Sequence, residues 1–164
     1  MTLAAPVQLS TPRDLAAFRR AVRDRRGEGN EYVLLLGLKA QPAFSLLARI
    51  ERGIEVAAVE RLREALGIPS AELLETIGVS DRTWARRRRE GRLDRDESDR
   101  LLRVARIYGR ALELLDFDAA AARAWLGEPR RALGGKVPRE LLATELGARE
   151  VEALVGRIEH GVVG

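Results

Sequence analysis

Apolar residues recur every three or four positions along most of the chain, which is the spacing of amphipathic helices. Glycine follows most of these segments, and a glycine directly after a periodic stretch is a typical helix end. The pattern predicts helices at 12–26, 44–51, 56–66, 71–77, 81–90, 95–115, 119–126, 138–145 and 148–159. Only 32–38 is ambiguous, because a short apolar run fits a strand or a helical turn equally well. We therefore predict an all-α fold.

Several of the predicted helices begin at residue types that cap helix N termini. The predicted caps are Thr11, Ser70, Ser80, Asp94 and Asp118. Asp94 is followed three residues later by Glu97, which is the spacing of a capping box. This capping box opens the longest predicted helix.

That longest helix, 95–115, is apolar over a wide arc. Two neighbouring stripes make the arc, and they consist of Leu101, Ala105, Tyr108, Leu112 and Leu115, and of Val104, Ile107, Ala111 and Leu114. A helix with so wide an apolar surface is buried on more than one side. We expect it to join two subdomains or to contribute to a dimer interface.

Composition removes several classes of chemistry. The 164 residues include no cysteine and one histidine, His160. Disulfides, thiol catalysis and metal sites built from thiolates or several histidines are therefore excluded. We find no nucleophile–base pair and no phosphate-binding loop, so we predict a protein that is not an enzyme and has no cofactor or metal. The longest strongly apolar run is too short to cross a bilayer. The chain start lacks the features of an export signal, so we expect a cytoplasmic protein without a membrane partner.

Positive charge is concentrated in the middle of the chain. The formal net charge is +4, and residues 78–110 hold eleven arginines and six acidic residues. Residues 111–164, in contrast, hold seven basic and nine acidic residues. A confined block of arginine indicates a polyanion as partner.

The segment 70–89 has the spacing of a helix-turn-helix. A short helix is followed by Gly78, which permits the positive φ of the turn, and by Val79, which we expect to be buried. Ser80 caps the second helix, on which Trp84 is expected to face the core. In DNA-binding proteins of this kind the second helix lies in the major groove with its early residues at base edges.

The second helix is therefore the candidate recognition helix. We predict that Arg82, Thr83 and Arg86 contact base edges, because Arg pairs with guanine and the Thr methyl contacts thymine. A helix turns by about 100° per residue, so consecutive arginines cannot all face one groove. The other basic residues are predicted to contact phosphates. The candidate DNA-binding residues are Ser80, Arg82, Thr83, Arg86, Arg87, Arg88, Arg89 and Arg92.

A structural interpretation stays open for the same segment. Helix-turn-helix geometry occurs in helical proteins that never bind DNA, and most arginine runs are solvated helix faces. Position 87, three residues after Trp84, is often apolar in such motifs. Because Arg87 stands there, we expect the end of the helix to be less firmly seated than usual.

Short strings from residue 79 onward resemble the Xre/MbcA/ParS antitoxin family. In the helix-turn-helix region they are VSDRT at 79–83, RR at 87–88, GRL at 91–93 and ESDRLLR at 97–103. Further along they are AWL at 124–126, ALGG at 132–135, LLATE at 141–145 and RIEHGV at 157–162. The resemblance covers about 43–164 and does not include 1–42.

The resemblance implies an antitoxin of a type II toxin–antitoxin pair. The partner would be a RES-fold toxin that degrades NAD or uses it for ADP-ribosyl transfer, and the C-terminal domain would cover the toxin's NAD cleft. The helix-turn-helix would bind an inverted repeat in the operon's own promoter as a homodimer. The implied organisation is an N-terminal extension at 1–42, an Xre-like helix-turn-helix domain at 43–110 and a small helical toxin-binding domain at 111–164.

Candidate toxin-binding residues lie in one turn, on one helix and at the chain's end. They are Trp125, Leu133, Gly134, Arg157, Ile158, Glu159, His160, Gly161, Val162 and Gly164. We expect the last residues to form a short flexible tail that enters the cleft. There Glu159 and the C-terminal carboxylate of Gly164 are expected to occupy the positions of substrate phosphates.

Several of these residues also have a plain structural interpretation. Trp125 and Leu126 are expected in the core, and Gly127 and Gly147 are most simply helix ends. His160 is favourable at a helix C terminus because its charge complements the helix dipole.

A second function fits the helix-turn-helix equally well. It is a stand-alone transcriptional regulator without a toxin partner, in which the C-terminal domain serves dimerisation or binds a ligand. Only the C-terminal third separates the two functions. A RES-type reading frame next to the gene would favour the antitoxin.

Overall fold

The computed structural model describes residues 13–24 and 29–162, and it is helical with no strand within those ranges. Nine α-helices follow one another there. They are α1 (Arg13–Arg23), α2 (Ala43–Arg52), α3 (Ala57–Leu66), α4 (Ser70–Thr76), α5 (Asp81–Glu90), α6 (Arg95–Leu114), α7 (Ala119–Gly127), α8 (Pro138–Leu141) and α9 (Glu145–Glu159). The predicted all-α fold class is confirmed. The predicted cap at Thr11 and the helix end at 26 lie outside the described residues.

The ambiguous segment 32–38 is a helical turn rather than a strand. Residues Glu31–Leu36 form a 3-10 helix that ends at Gly37, which has a φ of 69°. Val33, Leu35 and Leu36 on this helix are buried. A 3-10 turn brings side chains i and i+3 onto one side, and the surrounding helices cover the remaining apolar residues. This burial explains why the run lacks the polar positions that an amphipathic helix shows.

Three of the four predicted caps that can be compared here are correct, among them Asp94, whose side chain accepts the Glu97 N–H. The side chains of Ser80 and Asp118 each accept a hydrogen bond from the backbone N–H three residues on. The predicted cap at Ser70 is wrong, because Ser70 is the first helical residue of α4. Pro69 precedes it and offers no side-chain cap.

Helix α6 is the centre of the molecule. It contacts α2, α3 and the first 3-10 helix as well as α7 and α9. Its capping box is present, since the Glu97 N–H donates to Asp94 and the Asp94 N–H donates to Glu97. Both predicted stripes of α6 are buried except at their last residues, as its wide apolar arc requires.

Helix α1 packs onto the same core as the rest of the described residues. Leu15 and Phe18 of α1 are buried, and α1 contacts α3 and the first 3-10 helix. Asp14 of α1 forms a two-point ion pair with Arg61 of α3. Helix α1 and the first 3-10 helix therefore complete the core beside the helix-turn-helix.

A row of ion pairs joins α6 to α9. Three arginines on α6 meet three glutamates on α9, in the pairs Arg103–Glu145, Arg106–Glu145, Arg106–Glu152 and Arg110–Glu159, at N–O distances of 2.7 to 3.2 Å. Burial acts to raise the pKa of Glu145. The Arg106 charge and hydrogen bonds from both neighbouring arginines outweigh it, so this pKa lies below its ordinary value.

Helix α9 begins earlier than its apolar pattern predicts. Thr144 is its cap, and the Gly147 N–H donates to the Thr144 Oγ1 at 3.0 Å. Gly147 therefore lies inside the first turn, and its interpretation as a helix end is wrong. A Cβ there would lie 2.1 Å from the Leu141 carbonyl oxygen, so the residue is glycine because the α8–α9 connection passes so close.

No helix in the described ranges is both long and apolar enough to cross a membrane.

Candidate nucleic-acid interface and C-terminal binding surface

The helix-turn-helix turn has the geometry that its sequence predicts. Gly78 has a φ of 68°, and Val79 behind it is buried. Ser80 has extended backbone, and its Oγ accepts the Thr83 N–H at 3.2 Å. The Ser80 hydroxyl also donates to the Thr83 Oγ1 at 3.1 Å. Both side chains therefore fix the start of α5.

The inner face of α5 is held by one apolar and one ionic contact. Trp84 is buried in the core. Arg87, one turn later, is only 13% exposed and donates to three carboxylates. Its Nε lies 2.7 Å from Glu97, its Nη1 2.8 Å from Glu90 and its Nη2 2.8 Å from Asp94. Hydrogen bonds to Glu97 and Glu90 raise the pKa of Arg87 well above its ordinary range.

Arg87 thus replaces the apolar residue that usually seats this helix. The expectation of a loosely seated helix end is wrong, because the guanidinium binds α5 to the capping box of α6. The same contacts remove Arg87 from the surface, since its donors already face carboxylates. In this arrangement Arg87 is not available for the predicted contact with a phosphate.

The outer face of α5 presents three arginines. At about 100° per residue, Arg82, Arg86 and Arg89 fall on one side of the helix, opposite Trp84 and Arg87. All three are exposed. Arg86 lies 3.9 Å from Glu90, whereas Arg82 and Arg89 have no carboxylate within ion-pair distance among the described residues.

The other predicted DNA contacts lie beside this face. Arg88 is exposed but lies about 100° around the helix from Arg89. Thr83 is half-buried near the start of α5. Arg92 follows α5 and donates to the Gly53 carbonyl oxygen at 2.8 Å, with Glu55 3.5 Å away. Arg92 therefore braces the α5–α6 turn against the end of α2, and only part of it is free for a phosphate.

The C-terminal helices form a small apolar cavity of about 140 Å³. Its lining comes from α7, the following loop and the end of α9, and consists of Trp125, Arg130, Ala132, Leu154, Arg157, Ile158 and Val162. Four predicted toxin-binding residues are therefore brought together. They are Trp125, Arg157, Ile158 and Val162.

The turn beside this cavity contains two more of the predicted residues. Leu133 ends a second 3-10 helix, Arg131–Leu133, and is buried. Gly134 follows with a φ of 66° and is exposed. The Arg130 N–H donates to the Lys136 carbonyl oxygen at 3.0 Å, which closes the loop as the predicted turn.

The segment from His160 to Val162 is more ordered than a flexible tail. His160 caps α9, and Gly161 has a φ of 70°. The Val162 N–H donates to the Arg157 carbonyl oxygen at 2.9 Å, which is the long-range bond of a Schellman motif. The prediction of a free tail is therefore wrong for the residues up to Val162. Gly164 lies outside the described residues.

Glu159 is not presented in the way that the sequence suggested. Its carboxylate accepts a hydrogen bond from the Arg110 Nη2 at 2.7 Å. Because Arg110 already balances the charge of the Glu159 carboxylate, this carboxylate is a poor substitute for a substrate phosphate. His160 is exposed, and no group of three or more metal-ligating side chains occurs in the described part of the chain.

Comparison with known proteins matches a family model to each of the two regions that contain these surfaces. Residues 45–106 match the family model described as the antitoxin Xre-like helix-turn-helix domain. Residues 110–161 match the antitoxin Xre/MbcA/ParS C-terminal toxin-binding domain. The chain is also 38% identical over 128 residues to a protein named Antitoxin Xre from Yersinia enterocolitica, covering 77% of this chain and 86% of that protein. The chain belongs to the Xre antitoxin family.

Two further relatives fit this assignment. A protein named Antitoxin Xre from Photorhabdus laumondii is 33% identical over 129 residues, which cover 78% of this chain and 87% of that protein. A more distant protein from Sphingobium, 22% identical over 156 residues, covers 90% of this chain and 98% of its own length. Its name is Prs ADP-ribosylating antitoxin.

The two matched domains of the antitoxin meet within α6. The first match includes α5 and its arginines, and the second includes the apolar cavity. A toxin and DNA are therefore the two partners that the domains of this antitoxin imply. The ion pairs between α6 and α9 connect the two matched domains.

The structure adds one residue that the sequence interpretation missed. Arg130 lines the cavity with its guanidinium carbon 4.9 Å from the centre of the Trp125 ring. Its Nη2 also donates to the Trp125 carbonyl oxygen at 2.9 Å. The spacing of five residues across Pro129 gave no periodic signal, so only the fold brings Arg130 onto the ring.

Proposed function

We propose that this antitoxin neutralises a RES-fold, NAD-using toxin by covering its active site with the C-terminal domain, 111–164. We further propose that it represses its own operon as a homodimer, through the helix-turn-helix domain at 43–110. The observation that carries both parts is the separation of two exposed surfaces. One is the arginine face of α5, and the other is the apolar cavity between α7 and α9.

The DNA-binding part rests on which arginines are free. Arg82 and Arg86 are in the first half of α5, where recognition helices contact base edges. Arg89 is one turn further along the same face, where a phosphate is the natural partner. Thr83 stands beside Arg82 with its hydroxyl turned to Ser80. Because one helix reads only a few base pairs, we propose a dimer on half-sites about 34 Å apart.

The toxin-binding part rests on shape and charge. The C-terminal domain is slightly acidic, and sites for NAD or phosphate are normally basic, so the two surfaces are complementary. The cavity supplies an apolar centre with an aromatic ring and two arginines, the composition typical of interface hot spots. The name of the Sphingobium relative links this kind of antitoxin to ADP-ribosylation, which is chemistry that consumes NAD.

We propose a revised set of toxin contacts. The cavity residues Trp125, Arg157, Ile158 and Val162 are retained, and Arg130 is added. Gly134, His160 and Gly161 are retained as exposed residues of the same domain. Leu133 supports the surface from below, and Glu159 acts through its ion pair with Arg110 rather than as a phosphate substitute.

A rescue assay that follows growth and cellular NAD tests the proposed toxin binding directly. The toxin candidate encoded beside the antitoxin is induced with and without the antitoxin, and co-expression is expected to restore growth and the NAD pool. Val162→Asp should abolish rescue, because Val162 is 59% exposed and lines the cavity. The matched control is Leu146→Asp, an exposed apolar residue of the same domain outside the cavity, which should still rescue. Rescue by a variant lacking 118–164 would instead favour a regulator without a toxin contact.

Two arginine substitutions separate base readout from phosphate contact. Arg82→Ala should weaken binding to the promoter by about 1–3 kcal/mol while leaving random DNA nearly unaffected. Arg89→Ala should weaken binding to both DNAs alike. It should also lower the slope of the salt dependence by about one, the effect of losing one phosphate contact. Fluorescence anisotropy over a range of salt concentrations measures both effects, and Arg131→Ala in the C-terminal domain is the control. Equal losses on both DNAs for both α5 variants would contradict this division of roles.

A further inference from the structure

An uncharged surface lies on α2, away from the arginine face of α5 and from the C-terminal cavity. Residues 40–48 carry no charge in a chain that is 33% charged. Within this stretch Phe44 is 85% exposed and Leu47, one turn later, is 55% exposed. Interface centres are depleted in charge and enriched in aromatic residues. Exposed large apolar side chains that share one helix face mark an interaction site.

A groove lies directly beside these two side chains. It has a volume of about 240 Å³, and its apolar lining includes Tyr32, Leu46, Leu47, Ile50 and Leu102. This volume is below the roughly 300–1,000 Å³ of typical small-molecule sites. The groove therefore suits a protruding side chain better than a cofactor. A third exposed apolar residue, Leu146 at 73%, follows Glu145, which lines the groove.

The groove's rim is electrically balanced. It holds Asp99, Arg103, Arg106 and Glu145, and these residues pair with one another. Arg103 lies 3.0 Å from Asp99 and from Glu145, and Arg106 lies 3.2 Å from Glu145. A polyanion would find no net positive charge there. Two identical copies, however, can face each other across such a rim without like-charge repulsion.

We propose that this α2 face, defined by Phe44, Leu47 and the adjoining groove, is where two copies of the antitoxin join. A two-fold interface uses the same patch on both copies, so each patch must carry both a protrusion and a recess. Helix α2 supplies the protrusion and one wall of the recess. Phe44 of each copy enters the groove of the other. This inference rests on the homodimer in the proposed function and names its interface.

The position of α2 relative to α5 makes this interface useful for DNA binding. The end of α2 is fixed to the α5–α6 turn by Arg92, which donates to the Gly53 carbonyl oxygen, and by an ion pair of Glu51 with Arg95 at 3.0 Å. Pairing through α2 therefore fixes the two recognition helices relative to each other. An inverted repeat requires such a fixed relation.

Sedimentation equilibrium of the full chain tests the inference. The wild type should have a two-chain mass, and Phe44→Glu and Leu47→Glu should each have a one-chain mass at the same concentration. Because both residues are exposed, thermal unfolding of the two variants should remain cooperative. Val162→Glu is the matched control, an exposed apolar residue elsewhere that should remain dimeric. A monomeric wild type, or dimeric Phe44→Glu, would overturn the inference.

Cross-linking gives an independent measurement because the chain has no cysteine. With a short bis-maleimide reagent, Ser45→Cys should give a covalent dimer and Ala132→Cys should not. Reaction of Ala132→Cys but not Ser45→Cys would contradict the inference.

Assays of DNA binding and of toxin neutralisation with the same variants distinguish this inference from the proposed function. Phe44→Glu should bind the operon's upstream region at least tenfold more weakly than the wild type and should still neutralise the toxin. A dimeric Phe44→Glu that no longer neutralises would assign this face to the toxin and overturn the inference. A wild type that dimerises through α2 but never neutralises would contradict the proposed function alone.

Discussion

Arg87→Met should destabilise the antitoxin by about 3 kcal/mol, with loss of promoter and random DNA binding together. Removing one partner of a buried ion pair leaves an uncompensated charge, which costs about 3–5 kcal/mol. Here that charge belongs to Glu97, whose side chain is 6% exposed. The lower end of the range applies because the Asp94 N–H still donates to Glu97 at 2.9 Å. Urea unfolding, with the slope checked for constancy, measures the change.

Two further variants separate lost charge pairing from lost packing. Arg88→Met changes the adjacent, exposed arginine and should alter stability by no more than about 0.5 kcal/mol. The double variant Arg87→Met with Glu97→Gln removes both charges but keeps a residue suited to the capping box. It should regain much of the stability that Arg87→Met loses. If Arg87→Met were as stable as Arg88→Met, the ion cluster would not be what holds α5.

The predictable parts of this structure are those that depend on neighbours in the sequence. Gly78, Val79 and Ser80 lie within one turn of each other, and their roles follow from φ, burial and capping alone. The same holds for Asp94 with Glu97. Arg87 differs, because its partner Glu97 is on the next helix. An arginine at that position cannot be recognised as structural from the sequence of α5.

The binding surfaces needed the fold for a similar reason. The C-terminal cavity combines Trp125 with Arg130 and with residues of α9 about thirty positions later, and no local spacing links them. Phe44 has the periodicity of a core residue, yet α2 turns it outward. Hydrophobic patterning predicts that a helix has an apolar face. It does not say whether this chain or a second copy covers that face.

Gly147 illustrates the same limit and leads to the second large effect. A Cβ at this position would lie 2.1 Å from the Leu141 carbonyl oxygen and 2.9 Å from its carbon. These atoms are backbone, so the strain cannot be relieved by a side-chain rotation. Gly147→Ala should therefore destabilise the antitoxin by about 3 kcal/mol, at the upper end of the usual cost of overpacking. For a chain of this length, that corresponds to a fall in Tm of about 6–12 °C.

Gly156→Ala is the matched control, because it lies on the same helix and, among the described residues, an added Cβ would meet no atom within 4 Å beyond its own helix's backbone. Alanine is the better helix former by about 0.5–1 kcal/mol, so Gly156→Ala should raise the Tm by a few degrees. The two substitutions are chemically identical and opposite in expected sign, so general helix propensity cannot explain both. Calorimetry of both variants measures these two changes in Tm. A Tm for Gly147→Ala at or above the wild-type value would mean that α8 and α9 can separate without cost. The close approach of Leu141 would then not be what requires glycine at the start of α9.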